Sequence, residues 1–339
     1  MSPVGRVLIV GGYGLVGGWV ARHLRAAGHD LELVLGGRRP QAGERLAQEL
    51  DAKVARVDVG DTAGSLAAIG PADLVVSAVQ DPHDDVLRAA LRAGAAHIGI
   101  VRKVDNVGAT ALTAAALAQK PALLLGHWQA GVTTYAALMA ARRFRHVERI
   151  ELAALFDPAD ASGPMTSDDR SAFFTPALLR RGGCWERVEQ AASLRTVDRR
   201  AQESFTAQPM GVLDVAGLAA VTGAPDVRFD IGTGESAGTA GGGATSHDIY
   251  ADLRGTGHDG RPAATRFVVS DPLGQAHLTA LGVLIGVERI LALDGSEPLG
   301  PGIHLPERVI DAERAIERLR SFGVRAEHQP YPSVPERQE

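Results

Sequence analysis

Apolar and polar positions follow two rhythms along the chain, and the change between them divides it. Over the first 130 residues, short aliphatic runs alternate with stripes at helical spacing. Val7–Val10 is the first run, and Leu15 to Ala27 follows as a helix with Gly28 as its stop. Leu31–Leu35, Val54–Val57, Leu74–Val79, His97–Val101 and Ala122–Leu125 read as further strands. Pro40 opens a helix carrying Leu46, Ala47 and Leu50 on one side, and Val107–Gln119 reads as a helix of small residues. From Asp81 to Gly94 the helix signals are dense. Asp81 is the expected cap, Pro82 the first helical residue, Asp84 and Asp85 the acidic first turn, and Val86, Leu87, Ala90 and Leu91 the buried stripe. Strands alternating with helices predict parallel pairing through right-handed crossovers, which is a doubly wound sheet.

Past about residue 130 the rhythm changes. Gly131–Phe144 reads as a helix and Arg149–Leu155 as an alternating strand. Tyr250–Arg254 and Ala264–Val269 flank Asp259-Gly260, a hairpin signal that predicts antiparallel sheet. Six glycines fall between residues 232 and 243, which reads as a mobile loop, with a substrate lid as the alternative. Asp271-Pro272 opens an apolar helix reaching about Leu293, and Pro306 opens a last one with Val309, Ala312, Ile316 and Leu319 on its buried face. The expected architecture is α/β: a dinucleotide-binding domain over 1–130, an inserted α+β substrate domain with antiparallel sheet over 131–270, and C-terminal helices over 271–339 packing back on the first.

Composition narrows the classes. With 339 residues, 45% of them hydrophobic, the chain can bury a large core in about two domains. A net charge of -5 removes the electrostatic footing for non-specific nucleic-acid binding, and Arg142, Arg143 and Arg145 read as a solvated helix end. The uncharged stretch Pro121 to Ala141 holds His127, Gln129, Thr133 and Thr134, so no membrane span is expected, and residues 1–12 show no cleavable leader pattern. The lone Cys184 has no internal partner for a disulfide, which favours a reducing cytosol. Scattered histidines and the absence of paired metal-ligand spacing predict no metal site.

The chemistry begins at Gly11-Gly12-Tyr13-Gly14-Leu15-Val16-Gly17, where G-x-G-x-x-G falls on Gly12, Gly14 and Gly17 between a strand and a helix. Gly12 suits the tight turn, Gly14 the close approach of a pyrophosphate, and Gly17 the packing of helix on sheet, while the helix N-terminus offers N–H groups to phosphates. An NAD site would place an acid at the end of the second strand. This chain reads Leu35-Gly36-Gly37-Arg38-Arg39 instead, and two guanidiniums suit the 2′-phosphate of NADP(H). Asp58 ends the third strand, where a carboxylate reaches either the adenine or solvent. Ser77, Ala78 and Val79 end the fourth, expected beside the nicotinamide because ligands lie outside the carboxyl ends of such strands.

GGYGLVGGWVARHL, LELVLGGRRP and DLVVSAVQDPHDDVLRAALRAGAAHIGI resemble the saccharopine dehydrogenase (saccharopine reductase-like) NAD(P)-binding family. The resemblance continues through HDIYADLRGTGHDGRPAATRFVVSDPLGQAHLTALGVLIGVERIL and PGIHLPERVIDAERAIERLRSFGV. It implies a Rossmann domain, an inserted substrate domain, a homodimer, and NADPH-linked chemistry at a C=N bond joining amino-acid-like parts. The chain departs from the family pattern at Gly94–Gly99 and at Gln129-Ala130-Gly131, both beside the expected nicotinamide pocket.

Candidates for the reacting end are His127, Tyr135 and Lys103 as proton donors, with Trp128 and Arg170 toward the substrate. Each has a bland counterpart. His127 and Tyr135 suit a core as well, and Asp168, Asp169 and Arg170 also fit a helix cap and first turn. His247 and His277 rank below them. Two functional classes follow: an imine-reducing oxidoreductase, with enoyl or ketone reduction as the nearest variant, or a non-catalytic dinucleotide-binding sensor.

Overall fold

The computed structural model describes residues 5–100, 106–163, 176–200 and 203–331. The chain divides into two compact units, the first of residues 1–132, 162–169 and 276–310, the second of 133–161, 170–275 and 311–339.

In the first unit the alternation becomes β1 (Gly5–Val10), α1 (Leu15–Ala26), β2 (Leu31–Gly37), α2 (Glu44–Glu49), β3 (Lys53–Arg56), α3 (Thr62–Ile69), β4 (Leu74–Ser77), α4 (Asp85–Arg92), β5 (Ala96–Gly99), α5 (Val107–Leu117) and β6 (Pro121–Leu124). The strands pair in parallel in the order β6-β5-β4-β1-β2-β3, and a seventh parallel strand, Gly302–His304, joins beside β6. This is the doubly wound sheet that the spacing predicts. Val7, Leu8, Ile9 and Val10 are all buried, as a central strand covered on both faces requires. One face packs Leu8, Val34, Val75 and Val86 together. Against the other edge, the helix Gln275–Ile290 lies so close that a Cβ on Gly286 would stand 2.7 Å from Leu125 Cδ1. Strand order reverses between β1 and β4, so their carboxyl ends open the crevice where such sheets bind ligands.

Several boundaries differ from the sequence reading: the apolar helix begins at Gln275, and Asp271 ends the strand before it rather than opening the helix. The Asp81 carboxylate does cap a helix, accepting from the N–H groups of Val86 and Leu87 at 3.2 Å each, but across a turn. Asp84 is left-handed with φ 59°, and the helix begins at Asp85, which leaves Pro82 outside it. The last helix is also two: Pro306–Val309 ends in extended Ile310, and Asp311 caps a new start over Ala312–Ser321. That break carries the chain from the first unit to the second, so the segment 271–339 is split between them.

The second unit is built on a mixed sheet. Phe144–Phe156 pairs in parallel with Asp226–Thr233 and antiparallel with His247–Gly257. The latter turns through Asp259-Gly260 into Pro262–Asp271, the hairpin the sequence signals. Arg325–Gln329 closes one side, while Glu203–Pro209 and Arg195–Arg200 extend the other. Its interior is unusually charged. Arg266 grips Asp252 with two 2.6 Å bonds, and buried Asp230 accepts from Arg195 and Arg228. Buried pairs of this kind hold because each charge is hydrogen-bonded as well as paired.

The glycine tract over 232–243 is not the mobile loop expected. It contains a short helix, Ala237–Ala240, capped by Ser236, and two buried carboxylates hold it. Asp157 accepts from Ser236 N (2.8 Å) and Thr239 Oγ1 (2.6 Å), and Asp248 accepts from Ala237 N (2.8 Å). Burial pushes the Asp157 carboxyl up, but the bonds from Thr239, Ser236 and Ala159 outweigh it and bring its pKa to about 2. No helix among the described residues is long and apolar enough to cross a membrane.

Candidate functional site

The turn after β1 gives its glycines different work. Gly11 holds φ at 84°, and a Cβ on Gly12 would stand 2.7 Å from Ile9 O and 2.9 Å from Leu35 Cα. A Cβ on Gly17 would overlap the Gly11 carbonyl and stand 2.8 Å from its carbon, so α1 reaches the turn only without a side chain there. Gly14 is unlike both. Its backbone is extended (φ -76°, ψ 178°), it is exposed, and a Cβ would meet only Gly11 O at 3.2 Å. A side chain at Gly14 meets one tight backbone contact where those at Gly12 and Gly17 meet clashes, and the rest of the space above it is open. No side chain caps α1 and its first turn carries no acid, so the N–H groups of Leu15, Val16 and Gly17 present a positive helix end.

At the end of β2, Gly36 and Gly37 put no acid beside this turn, and Arg38 and Arg39 follow, both exposed. Neither guanidinium meets an acceptor among the described residues, while the Arg39 N–H donates to Tyr13 Oη at 2.9 Å. Asp58 is spent on its own turn, accepting from Gly60 N at 3.1 Å. The β4 end abuts the glycine turn: Ala78 N donates to Val10 O at 2.9 Å, and a Cβ on Gly11 would stand 2.8 Å from Val79 Cγ1. Ser77 is buried there, and its hydroxyl has no hydrogen-bond partner among the described residues. Space over Gly14, an uncapped helix end, and two guanidiniums and a buried hydroxyl that find no partner among the described residues fit an anionic dinucleotide laid across the β1 and β4 ends. Among the described residues, no three metal-ligating side chains cluster to hold an ion.

Of the three proton-donor candidates, His127 and Tyr135 lie within the described residues, and both are buried. His127, just past β6, is buried, with Nε2 3.1 Å from Glu307 Oε2 and both side chains only 1% exposed. Tyr135 is fully enclosed, and Trp128 is half-buried. Lys103 and Arg170, with Asp168 and Asp169, lie outside the described residues. His277 packs edge-on to His23 and Trp19, and burial, reinforced by His277, lowers the His23 pKa to about 4. His247 is buried too, and burial brings its pKa to about 4 despite Asp248 and Asp271.

Two features beside β6 had no sequence signal. Gln129 and Ala130 both adopt left-handed backbones (φ 51° and 50°), a conformation that costs roughly 1–2 kcal/mol per non-glycine residue. The Thr279 hydroxyl bonds Gln129 Oε1, and Gly282 lets the helix press on this turn, since a Cβ there would stand 2.6 Å from the carbonyls of both residues. Glu307 was the second. Its pairing with His127 spans 180 residues of chain and has no local pattern to announce it.

Residues 7–134 match the model of the family described as the saccharopine dehydrogenase NADP binding domain. Among solved structures, apo saccharopine dehydrogenase (L-Glu forming) from Saccharomyces cerevisiae shares the fold with a TM-score of 0.68 at 13% identity, covering 96% of this chain and 100% of that one. A mutant meso-dapdh from Clostridium tetani with DAP aligns at 13% identity over 93% and 98% of the two chains, with a TM-score of 0.49. Apo scyllo-inositol dehydrogenase from Lactobacillus casei aligns at 11% identity over 96% and 99%, also with a TM-score of 0.49. No curated protein matches the chain.

Proposed function

Because residues 7–134 match the model of the saccharopine dehydrogenase NADP binding domain family, we propose that the protein is an NADPH-dependent oxidoreductase acting on a C=N bond. The observation that carries the cofactor assignment is the Arg38-Arg39 pair, exposed and without acceptors among the described residues at the strand end where no acid stands. A guanidinium pair there suits a 2′-phosphate and offers nothing to a pair of ribose hydroxyls that an acid would bind. When bound, NADPH supplies hydride from carbon 4 of its nicotinamide. The chain's own part is to hold the pyrophosphate at the α1 N-terminus and to keep the β4 end, Ser77–Val79, narrow beside it.

Burial of His127 and Tyr135 supports the C=N reading over ketone reduction. His127 is engaged by Glu307 and Tyr135 is enclosed, so neither stands ready to protonate a developing alkoxide. An iminium carries its proton before the hydride arrives and asks no acid of the protein. The fold shared with an enzyme named for saccharopine, a secondary amine of two amino-acid parts, adds support for an amine-forming or amine-cleaving reaction. A homodimer through the second unit and a reducing cytosolic setting, consistent with the single exposed Cys184, belong to the same reading.

The test supplies the protein with NADPH deuterated at carbon 4 and mixtures of amine and carbonyl compounds. Label on the new amine carbon is the expected outcome. Label only on an alcohol or alkane carbon replaces the C=N assignment with ketone or enoyl reduction. NADPH binding with no turnover of any mixture would favour a sensor.

A further inference from the structure

Tyr13, the variable residue inside the glycine turn, does not face away from the sheet. Its ring fills a slot between two glycines of the following segment. A Cβ on Gly43 would stand 2.5 Å from Tyr13 Cδ1, and one on Gly37 would land on the phenol end of the ring, 2.5 Å from its Cζ. Neither glycine has a left-handed backbone, so no conformational demand calls for glycine at either place. The ring alone excludes a side chain there. From this slot the Tyr13 oxygen accepts the Arg39 N–H at 2.9 Å, and the Arg39 carbonyl in turn accepts from Ala42 N at 3.0 Å as the chain enters the Pro40–Gly43 turn. The Arg38 and Arg39 side chains are exposed and touch no acceptor among the described residues, so their placement follows this backbone.

We propose that Tyr13 is a positioning residue for cofactor choice: it clamps the Arg38-Arg39 backbone against the phosphate turn and so presets both guanidiniums for a 2′-phosphate. The inference rests on the NADPH assignment above and adds a part that assignment does not contain. Ordering two long cationic side chains costs entropy when the ligand arrives, and a fixed backbone removes part of that cost in advance. The clamp acts at the adenosine 2′ position only. Its loss therefore weakens NADPH and spares NADH, whereas a merely structural tyrosine would weaken both alike.

The experiment titrates NADPH and NADH by fluorescence into the unaltered protein and into Tyr13→Phe, Tyr13→Ala and Arg38→Ala. Tyr13→Phe keeps the ring in its slot and removes only the acceptor oxygen. It is expected to weaken NADPH about fivefold, the scale of one hydrogen bond, with NADH changed less than about twofold. Tyr13→Ala, which also empties the slot, is expected to lose about tenfold or more for NADPH, approaching Arg38→Ala. Equal losses for both nucleotides, or an unchanged ratio in Tyr13→Phe, overturn the clamp while leaving the NADPH assignment standing. An unaltered protein that binds NADH as tightly as NADPH overturns the assignment, and the clamp falls with it.

Discussion

Two glycine-rich segments of this protein look alike in composition and are held by opposite means. The first, residues 11–17, is shaped by sterics: Gly17 meets Gly11 within the turn, and Gly12 meets Ile9 and Leu35 of the two strands beside it. The second, residues 232–243, is held by carboxylates outside it: Asp157 lies 79 residues before its partner Ser236, and Asp248 lies 11 residues after Ala237. A motif whose constraints are local can be read from sequence. A tract tied down by remote acids reads as slack until the fold brings those acids to it.

The sharpest way to break this comparison is to add side chains to the first segment. Gly17→Val is expected to destabilise by about 4 kcal/mol, because the added atoms meet backbone, which has no flexible end to swing aside. Gly14→Val, three residues earlier, should lose much less stability than Gly17→Val and yet, on the proposed reading of a pyrophosphate over this turn, lose cofactor affinity by about a hundredfold. Thermal unfolding and NADPH titration of both variants check this. Should Gly14→Val unfold as readily as Gly17→Val, the division between fold glycines and ligand glycine is lost.

Removing an acid tests the second segment. Asp157→Ala strips acceptors from Ser236 N, Thr239 Oγ1 and Ala159 N, and is expected to cost about 3 kcal/mol. The same carboxylate makes the tract sensitive to acid. Its folded pKa of about 2 lies below the ordinary 3.8, so the folded state resists the proton that the unfolded chain accepts. The stabilisation is complete above pH 3.8 and fades as pH falls through 2, about 2 kcal/mol in all. Hydrogen exchange at Gly241–Gly243, followed from pH 5 down to pH 2 and corrected for intrinsic rates, should quicken first in this tract. The 11–17 turn has no titrating anchor of its own and should not follow.

What the sequence disclosed tracks the same contrast. The β1 to β6 alternation was legible because each strand is a compact aliphatic run and each helix carries its own stripe. The hairpin at Asp259-Gly260 was legible because its turn chemistry is local. The short strands from Ala177 to Pro209 were not, since residues such as Arg195, paired with buried Asp230, hold positions that periodicity assigns to solvent. Asp81 was read correctly as a cap but placed one turn early, because its side chain reaches over Pro82–Asp84 to Val86 and Leu87. At the site, the glycines and the arginine pair stand in the sequence as a pattern. Tyr13's slot does not, because Gly37 and Gly43 acquire meaning only once the ring is seen between them.

The smallest effect sharpens the comparison furthest, because it separates glycines within the second tract. Gly242 has φ 76° with nothing within 4 Å of a would-be Cβ, so Ala meets no clash there but does meet left-handed strain of about 1 kcal/mol. Gly243 lies outside that region, and its nearest neighbour is Gly238 O at 3.4 Å, an ordinary contact. Ala at Gly243 should therefore be neutral or stabilising by about 0.5 kcal/mol, through lost freedom of the unfolded chain. Chemical denaturation of the two single variants reads the difference, and NADPH affinity should be unchanged in both. A tract that is truly slack would relax the left-handed residue at no cost, so Gly242→Ala would then match Gly243→Ala. A measured gap of about 1 kcal/mol between adjacent alanines means that the carboxylate anchors fix the backbone of the tract residue by residue.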